Sequence, residues 1–143
     1  MILYKNMKMF RKTVVIPTNE PNQVINVTDE IQKVANESKI KNGMVFANSL
    51  HDTASIIIQE GDSSIYEDMF EMFDKILPLK GKYSHDYEGN VNATAHQKCS
   101  LLGTSVSLPL ENGKLVLGTW QQVIFIEFLE PRQRKVVVTI LGE

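Results

Sequence analysis

From Ser105 onward the chain is a series of short apolar runs, "SVSLPL", "KLVLG", "QQVIFIEFL" and "KVVVTIL", parted by turn residues. Runs rich in Val, Ile and Phe and bounded by Gly, Pro and Asn read as strands. Glu111-Asn112-Gly113 is a hairpin signal, because a two-residue turn needs left-handed backbone that Asn and Gly accept at least cost. Strands joined by tight turns pair antiparallel. This block commits the C-terminal part of the chain to sheet, and whatever precedes it must pack against that sheet.

The first half supplies both strands and helices. "KMFRKTVVIPT" reads as a strand that Pro17 ends, and "VINVT" as a short second one. Thr28 is placed as an N-cap, with Asp29 and Glu30 in the first turn of a helix reaching about Lys39, and Lys41-Asn42-Gly43 stops it. "GMVFANSL" and "TASIIIQE" read as two strands, the second apolar enough to be buried on both faces. Ser64 and Glu67 have capping-box spacing, and the helix that follows puts Ile65, Met69, Phe73 and Ile76 on one stripe until Pro78 ends it. "ATAHQKCSLL" predicts a short third helix up to Gly103. The fold class is therefore α+β: two packed, mainly antiparallel sheets, with two main helices and a short third to one side. A chain of 143 residues is long enough to bury one core without staples, which makes residues 1–143 a single domain.

Charge and cysteine usage bound the partners. A net charge of −2 offers no field to steer nucleic acid or an anionic membrane toward the protein. Cys99 is the only cysteine, so no internal disulfide forms, and a reducing compartment fits. "MILYKNMKMFRKTVVIPT" has no uninterrupted apolar core and no cleavage site, and no run reaches membrane-spanning length. The expectation is a cytoplasmic, soluble protein without nucleic-acid or membrane partners.

"YSHDYEGNVNATAH", Tyr83 to His96, is too polar for a core strand and too rich in ionisable groups for a plain linker. It holds His85 and His96; His51, at the end of "MVFANSL", is the third and last histidine. No two are at i, i+4, so a shared site must be assembled by the fold. Imidazoles suit zinc and related ions, and three with a water make an open coordination set. Three separate histidines, solvated or bonded in turns, remain the alternative from spacing alone. His96 and Cys99 at i, i+3 permit a cysteine ligand, but a lone Cys reads better as a small buried apolar residue. Asp86 and Glu88 offer a general base, an orienting carboxylate or a metal ligand, or simply solvate the loop. Thr53 and Ser55 bring hydroxyls beside His51, and Trp120 in "GTWQQ" is either a stacking surface or a core aromatic.

"HDTAS…E", "YSHDYEGNVNATAH", "LLGTSVSLP", "GKLVLGTWQQVIFIEF" and "PRQRKVVVTILGE", in this order, resemble the YjbQ family, also described as the secondary thiamine-phosphate synthase family. The resemblance runs through about the last two thirds of the chain. It implies a two-sheet α+β sandwich that assembles as a homotrimer, with a site near subunit boundaries. The family's histidines fall on His51, His85 and His96, and Glu88, Asn92, Gly103, Ser105, Thr119, Trp120 and Gln121 fall on motif positions. Arg132 and Arg134 lie in its basic C-terminal segment and are candidates for gripping a phosphate. The chain departs from the pattern at Asp52, where Thr or Ser is usual, and at Gln59-Glu60, where Asn-Glu is usual.

The resemblance implies a reaction joining a hydroxymethylpyrimidine diphosphate to a thiazole phosphate with release of pyrophosphate. In that scheme His51, His85 and His96 hold a divalent metal, and Arg132, Arg134, Thr53 and Ser55 bind phosphate oxygens. Trp120 faces the pyrimidine, and Glu88 handles a proton or orients a ligand, with His85 and His96 alongside it. Asn92, Ser105, Thr119 and Gln121 complete the substrate-binding set. Diphosphate chemistry usually employs Mg²⁺, which prefers oxygen ligands, whereas imidazoles select a zinc-like ion suited to hydrolysis. A zinc-type hydrolase of a small phosphorylated metabolite, and a trimeric metal- or ligand-binding protein without turnover, stand as alternatives.

Overall fold

The computed structural model describes residues 7–143; residues 1–6, part of the opening segment read for a signal sequence, lie outside the described residues. The order of elements is β1 (Lys8–Pro17), β2 (Gln23–Asn26), α1 (Thr28–Ser38), β3 (Gly43–Ser49), β4 (Ala54–Gln59), α2 (Ser63–Ile76), α3 (Asn90–Leu102), β5 (Ser105–Glu111), β6 (Lys114–Leu115), β7 (Gln122–Glu127) and β8 (Gln133–Gly142). The strands form a five-stranded sheet, β1-β8-β3-β5-β6, and a three-stranded sheet, β2-β7-β4. Every pairing is antiparallel. The expected α+β architecture of two packed antiparallel sheets with three helices is the one observed, but α1 packs apart from α2 and α3 rather than all helices lying to one side.

The tight-turn expectation holds for β5 and β6, where Asn112 and Gly113 adopt φ of 51° and 79°. It fails beyond them. β7 pairs with β2 and β4 in the smaller sheet while β8 pairs with β1 and β3 in the larger one, so the chain changes sheets on either side of β7. The reason is burial: β7 is covered on both faces from Val123 to Glu127, and a hairpin with β8 would have left one of those faces wet.

Alternation divides the apolar residues into two cores. Val45, Ala47, Ala54, Ile56, Val123, Phe125, Val136, Val138 and Ile140 meet between the sheets, closed at one side by Ile31, Val34 and Ala35 of α1. The opposite face of the small sheet, with Ile124 and Ile126, is covered by Tyr66 and Phe73 of α2 and by Ala95 and Cys99 of α3. Burial thus follows period 2 in the strands and a one-sided stripe in each helix.

Three helix readings are corrected. α1 does not use Thr28 as its cap: Asn26 Oδ1 accepts from the Thr28 amide at 3.1 Å, and the Thr28 hydroxyl instead accepts from the Val123 amide at 2.9 Å. α2 is capped by Asp62, whose Oδ1 accepts from Ser64 N–H at 2.8 Å, rather than by a Ser64–Glu67 box. Of the predicted stripe, Phe73 is buried and Met69 packs against the same core, while Tyr66, Phe70 and Leu77 complete the packed face and Ile76 is exposed. α3 is no short helix; it begins at Asn90, and half of the polar loop around His96 is helical.

Candidate active site

One end of the sandwich collects the end of β3, the start of β4, the end of β7 and the start of β8, through the pairings Ser49↔Val136 and Ala54↔Glu127. The β3–β4 turn therefore holds His51, Asp52 and Thr53 over the core. Leu50 N–H donates to Lys135 C=O at 3.0 Å, and Lys135 N–H donates back to Nε2 of His51 at 2.8 Å. A nitrogen that accepts cannot carry a proton, so the imidazole is uncharged and protonated on Nδ1. Burial, then the positive charge of Arg134, holds the His51 pKa below the usual histidine value, against the smaller opposing pulls of Glu127 and Asp52.

The other two histidines come from around the start of α3. Gly89, at φ 88°, turns the chain into the helix, and Asn90 Nδ2 donates to the carbonyls of Leu79 and Gly81 at 2.7 and 2.9 Å, pinning the preceding loop. The rings of His85 and His96 then stand edge to face at 4.9 Å, with Tyr87 against His85 at 4.4 Å. One donor atom each from His85, Glu88 and His96 lie within 4.8 Å of one another. Nε2 of His85 is buried, unbonded, and 3.8 Å from the Glu88 carboxylate; Oδ1 of Asn92 is likewise buried without a partner. Asp52 lies 3.8 Å from Nδ1 of His96.

The donor atoms that lie together differ from the three imidazoles expected from sequence. His51 lines the same cavity, but Nε2 is committed to Lys135, and coordination through Nδ1 would require stripping its proton. Glu88 is the third member of the close group. Two imidazoles and one carboxylate fit a zinc-like ion with an open position, and the orphaned Nε2 of His85 supplies a lone pair or proton that nothing among the described residues satisfies.

Beneath the turn lies a buried ion pair. Arg134 donates through Nε and Nη2 to both oxygens of Glu127 at 2.5 Å, and Nη2 also donates to Thr53 Oγ1 at 3.1 Å. The Thr18 hydroxyl donates to Glu127 at 3.1 Å. Burial alone would raise the Glu127 pKa, but the bonds from Arg134, from the Leu129 amide and from Thr18 outweigh it and hold the carboxyl below its ordinary range. Arg134 is therefore mostly spent on structure; only Nη1 is without a partner among the described residues, and it is not fully buried. Arg132 is half-exposed and pairs with Glu130.

These groups line an open cavity of about 720 Å³ that takes in His51, Asp52, Thr53, His85, Glu88, Asn92, His96, Arg132 and Arg134. Other predicted site residues lie elsewhere. Ser55 is fully buried under α3, on the face of β4 that meets Cys99. Ser105 is exposed at the start of β5. Thr119, Trp120 and Gln121 form an exposed turn before β7, at the end of that strand opposite Glu127, and Trp120 is 70% exposed. Cys99 is buried and burial raises its pKa, in keeping with a small apolar residue. Thr104 and Glu127 were not singled out from sequence; for Glu127 the signal was a lone acid inside the apolar run "VIFIEFL".

The family model described as UPF0047 protein YjbQ-like matches residues 12–143. The chain belongs to this YjbQ-like family. A UPF0047 protein of Archaeoglobus fulgidus is 40% identical over 119 residues, 83% of this chain and 91% of the relative. Bacillus subtilis YugU is 36% identical over 132 residues, covering 92% of this chain and 98% of its own. Among solved structures, a YbjQ-like protein of unknown function from Sulfolobus solfataricus has a TM-score of 0.90 at 30% identity, covering 96% of this chain and 100% of that one. An uncharacterized YjbQ/UPF0047 protein from Clostridium acetobutylicum has a TM-score of 0.83 at 40% identity, covering 90% and 98%. The YjbQ-like architecture thus extends over nearly the whole chain.

Proposed function

We propose that the cavity at the end of the sandwich is the active site of a metal-dependent enzyme acting on a small phosphorylated metabolite, with thiamine-phosphate-synthase-type transfer as its reaction. The observation that carries this reading is the meeting, in one cavity, of the His85–Glu88–His96 donor group with Arg132 and the free Nη1 of Arg134. A divalent ion in that donor group supplies positive charge to diphosphate oxygens. Arg132 and Arg134 add fixed charge that needs no reorganisation as the leaving group forms. In the transfer, the carbon–oxygen bond to diphosphate breaks, the thiazole nitrogen forms the new carbon–nitrogen bond, and pyrophosphate leaves with the bonding pair. No proton moves at the reacting carbon, so Glu88 is free to serve as a metal ligand. Leu50 and Leu129 form apolar wall beside these groups.

The donor set also supports a second reading. Two imidazoles with a carboxylate suit zinc better than Mg²⁺ and favour water as the nucleophile, which makes hydrolysis of a phosphorylated metabolite the alternative.

The assembly of three copies belongs to the proposal as well. It is supported by an apolar groove of about 580 Å³ on the outer face of the large sheet, uncovered among the described residues and lined by Met44, Phe46, Pro109, Val116 and Leu141. Light scattering of the purified chain tests it. A cytoplasmic location fits too, and no helix among the described residues is long and apolar enough to cross a membrane.

The deciding experiment incubates the protein with hydroxymethylpyrimidine diphosphate and thiazole phosphate, with Mg²⁺ or Zn²⁺ added or chelated. Metal-dependent thiamine phosphate that His85→Ala abolishes supports transfer. Release of phosphate without coupled product moves the assignment to hydrolysis, and tight binding with no product leaves a binding protein.

A further inference from the structure

His51 stands in the cavity but outside the metal group, and the fold has arranged its protonation. Nε2 is held as an acceptor by the Lys135 amide at 2.8 Å, which leaves Nδ1–H as the one hydrogen-bonding group the ring can offer. Nδ1 has no partner among the described residues and is not buried. Arg134 lies close enough for its charge to act on His51, and its Nη1 is the free end of an otherwise saturated guanidinium. The negative charge of Glu127 is taken up by Arg134, which removes it as an obstacle to an anion. Two acids remain nearby: Asp52, whose side chain is 85% exposed and stands beside His96, and Glu88, which lines the same cavity.

We infer that His51 is an uncharged hydrogen-bond donor to a substrate oxyanion, forming with Nη1 of Arg134 an anion subsite in the same cavity as His85, Glu88 and His96. Such a donor gives directional stabilisation without releasing its proton, so a phosphate or diphosphate oxygen is held there and not protonated. Arg134 offers a guanidinium N–H, and His51 provides the fixed direction. The inference rests on the reading of this cavity as a phosphate-handling site, and it places His51 on the anion side of it.

Two measurements on the full chain decide it, and neither depends on turnover or metal. With ¹⁵N-labelled histidine, long-range ¹H–¹⁵N spectra at neutral pH are expected to show His51 protonated on Nδ1 and bare on Nε2. An Nε2–H tautomer or an imidazolium overturns the inference. Calorimetric titration of chelator-treated protein with inorganic pyrophosphate then reads the donor. His51→Gln keeps an acceptor for the Lys135 amide but removes Nδ1–H, and is expected to weaken binding roughly tenfold. His51→Asn retains an amide N–H near the Nδ1 position and is expected to bind several-fold more tightly than His51→Gln. Equal affinity of the wild type and His51→Gln, or an Asn variant as weak as the Gln variant, overturns it. A protein that passes both tests yet makes no thiamine phosphate keeps the subsite and loses only the proposed reaction.

Discussion

The backbone amide of Lys135, on β8, donates across 2.8 Å to Nε2 of His51 on the β3–β4 turn, and this single bond decides what His51 can do. It keeps the ring neutral and ties the turn to the large sheet.

The same bond makes stability depend on pH. The His51 pKa is lower in the folded chain than its ordinary value of 6.5, so its contribution is complete above about pH 6.5 and is lost as pH falls through the lower folded value. Thermal melting of chelator-treated protein between pH 8 and pH 5, both round figures on the order of one to two units from that value, is expected to show a falling Tm on the acid side. His51→Gln, which cannot titrate, is expected to flatten that part of the curve.

Glu127 and Arg134 form a buried pair at the floor of the cavity, and removing one member leaves the other charge without its partner. Glu127→Gln or Arg134→Met is expected to cost about 3–5 kcal/mol in urea unfolding, and the double variant less than the sum of the two. Because the Glu127 pKa is held below its ordinary value of 4.5, this contribution is present above that pH and disappears only in more acidic solution than the His51 effect.

Metal content separates the histidines. Protein refolded with Zn²⁺ and desalted is expected to retain metal in the wild type and in His51→Gln, and to lose it in His85→Ala, Glu88→Ala and His96→Ala; elemental analysis reads all five. Asp52 meets His96 alone among the three donors. Asp52→Ser is therefore expected to weaken zinc binding by roughly tenfold, the effect of losing an orienting partner.

Asp62 caps α2 through the Ser64 amide and hydroxyl, while Glu67 makes no capping bond. Asp62→Ala is expected to cost about 1 kcal/mol, and Glu67→Ala to stay within about 0.5 kcal/mol of wild type. Equal losses would restore the Ser64–Glu67 box.

How much of this could be read from residues alone depended on whether the deciding interaction was local. β1 through β5 were legible because alternation and turn residues act within a few positions. The α2 stripe was right at Met69 and Phe73 and wrong at its ends, where Tyr66 and Leu77 pack in place of Ile65 and Ile76, since all four are apolar and only the surface of the small sheet selects among them. The division of β7 and β8 between two sheets was hidden, because nothing local distinguishes a strand that pairs with its successor from one that crosses to another layer. At the site, His85, Glu88 and His96 were visible as a cluster of special residues, while the role of His51 depended on an amide 84 residues away. Arg134 read as a phosphate grip because its partner, Glu127, was passed over inside an apolar run.

β7 has one further consequence. Its start carries the Thr119–Trp120 turn and its end carries Glu127, and six residues of strand separate them by about 17 Å at 3.3 Å per residue. A molecule small enough to sit between His85 and Arg132 cannot also touch the indole of the same chain. The cavity and the indole therefore have different addresses on the molecular surface. Any process that uses both must either span the length of the sandwich or borrow its tryptophan from another chain.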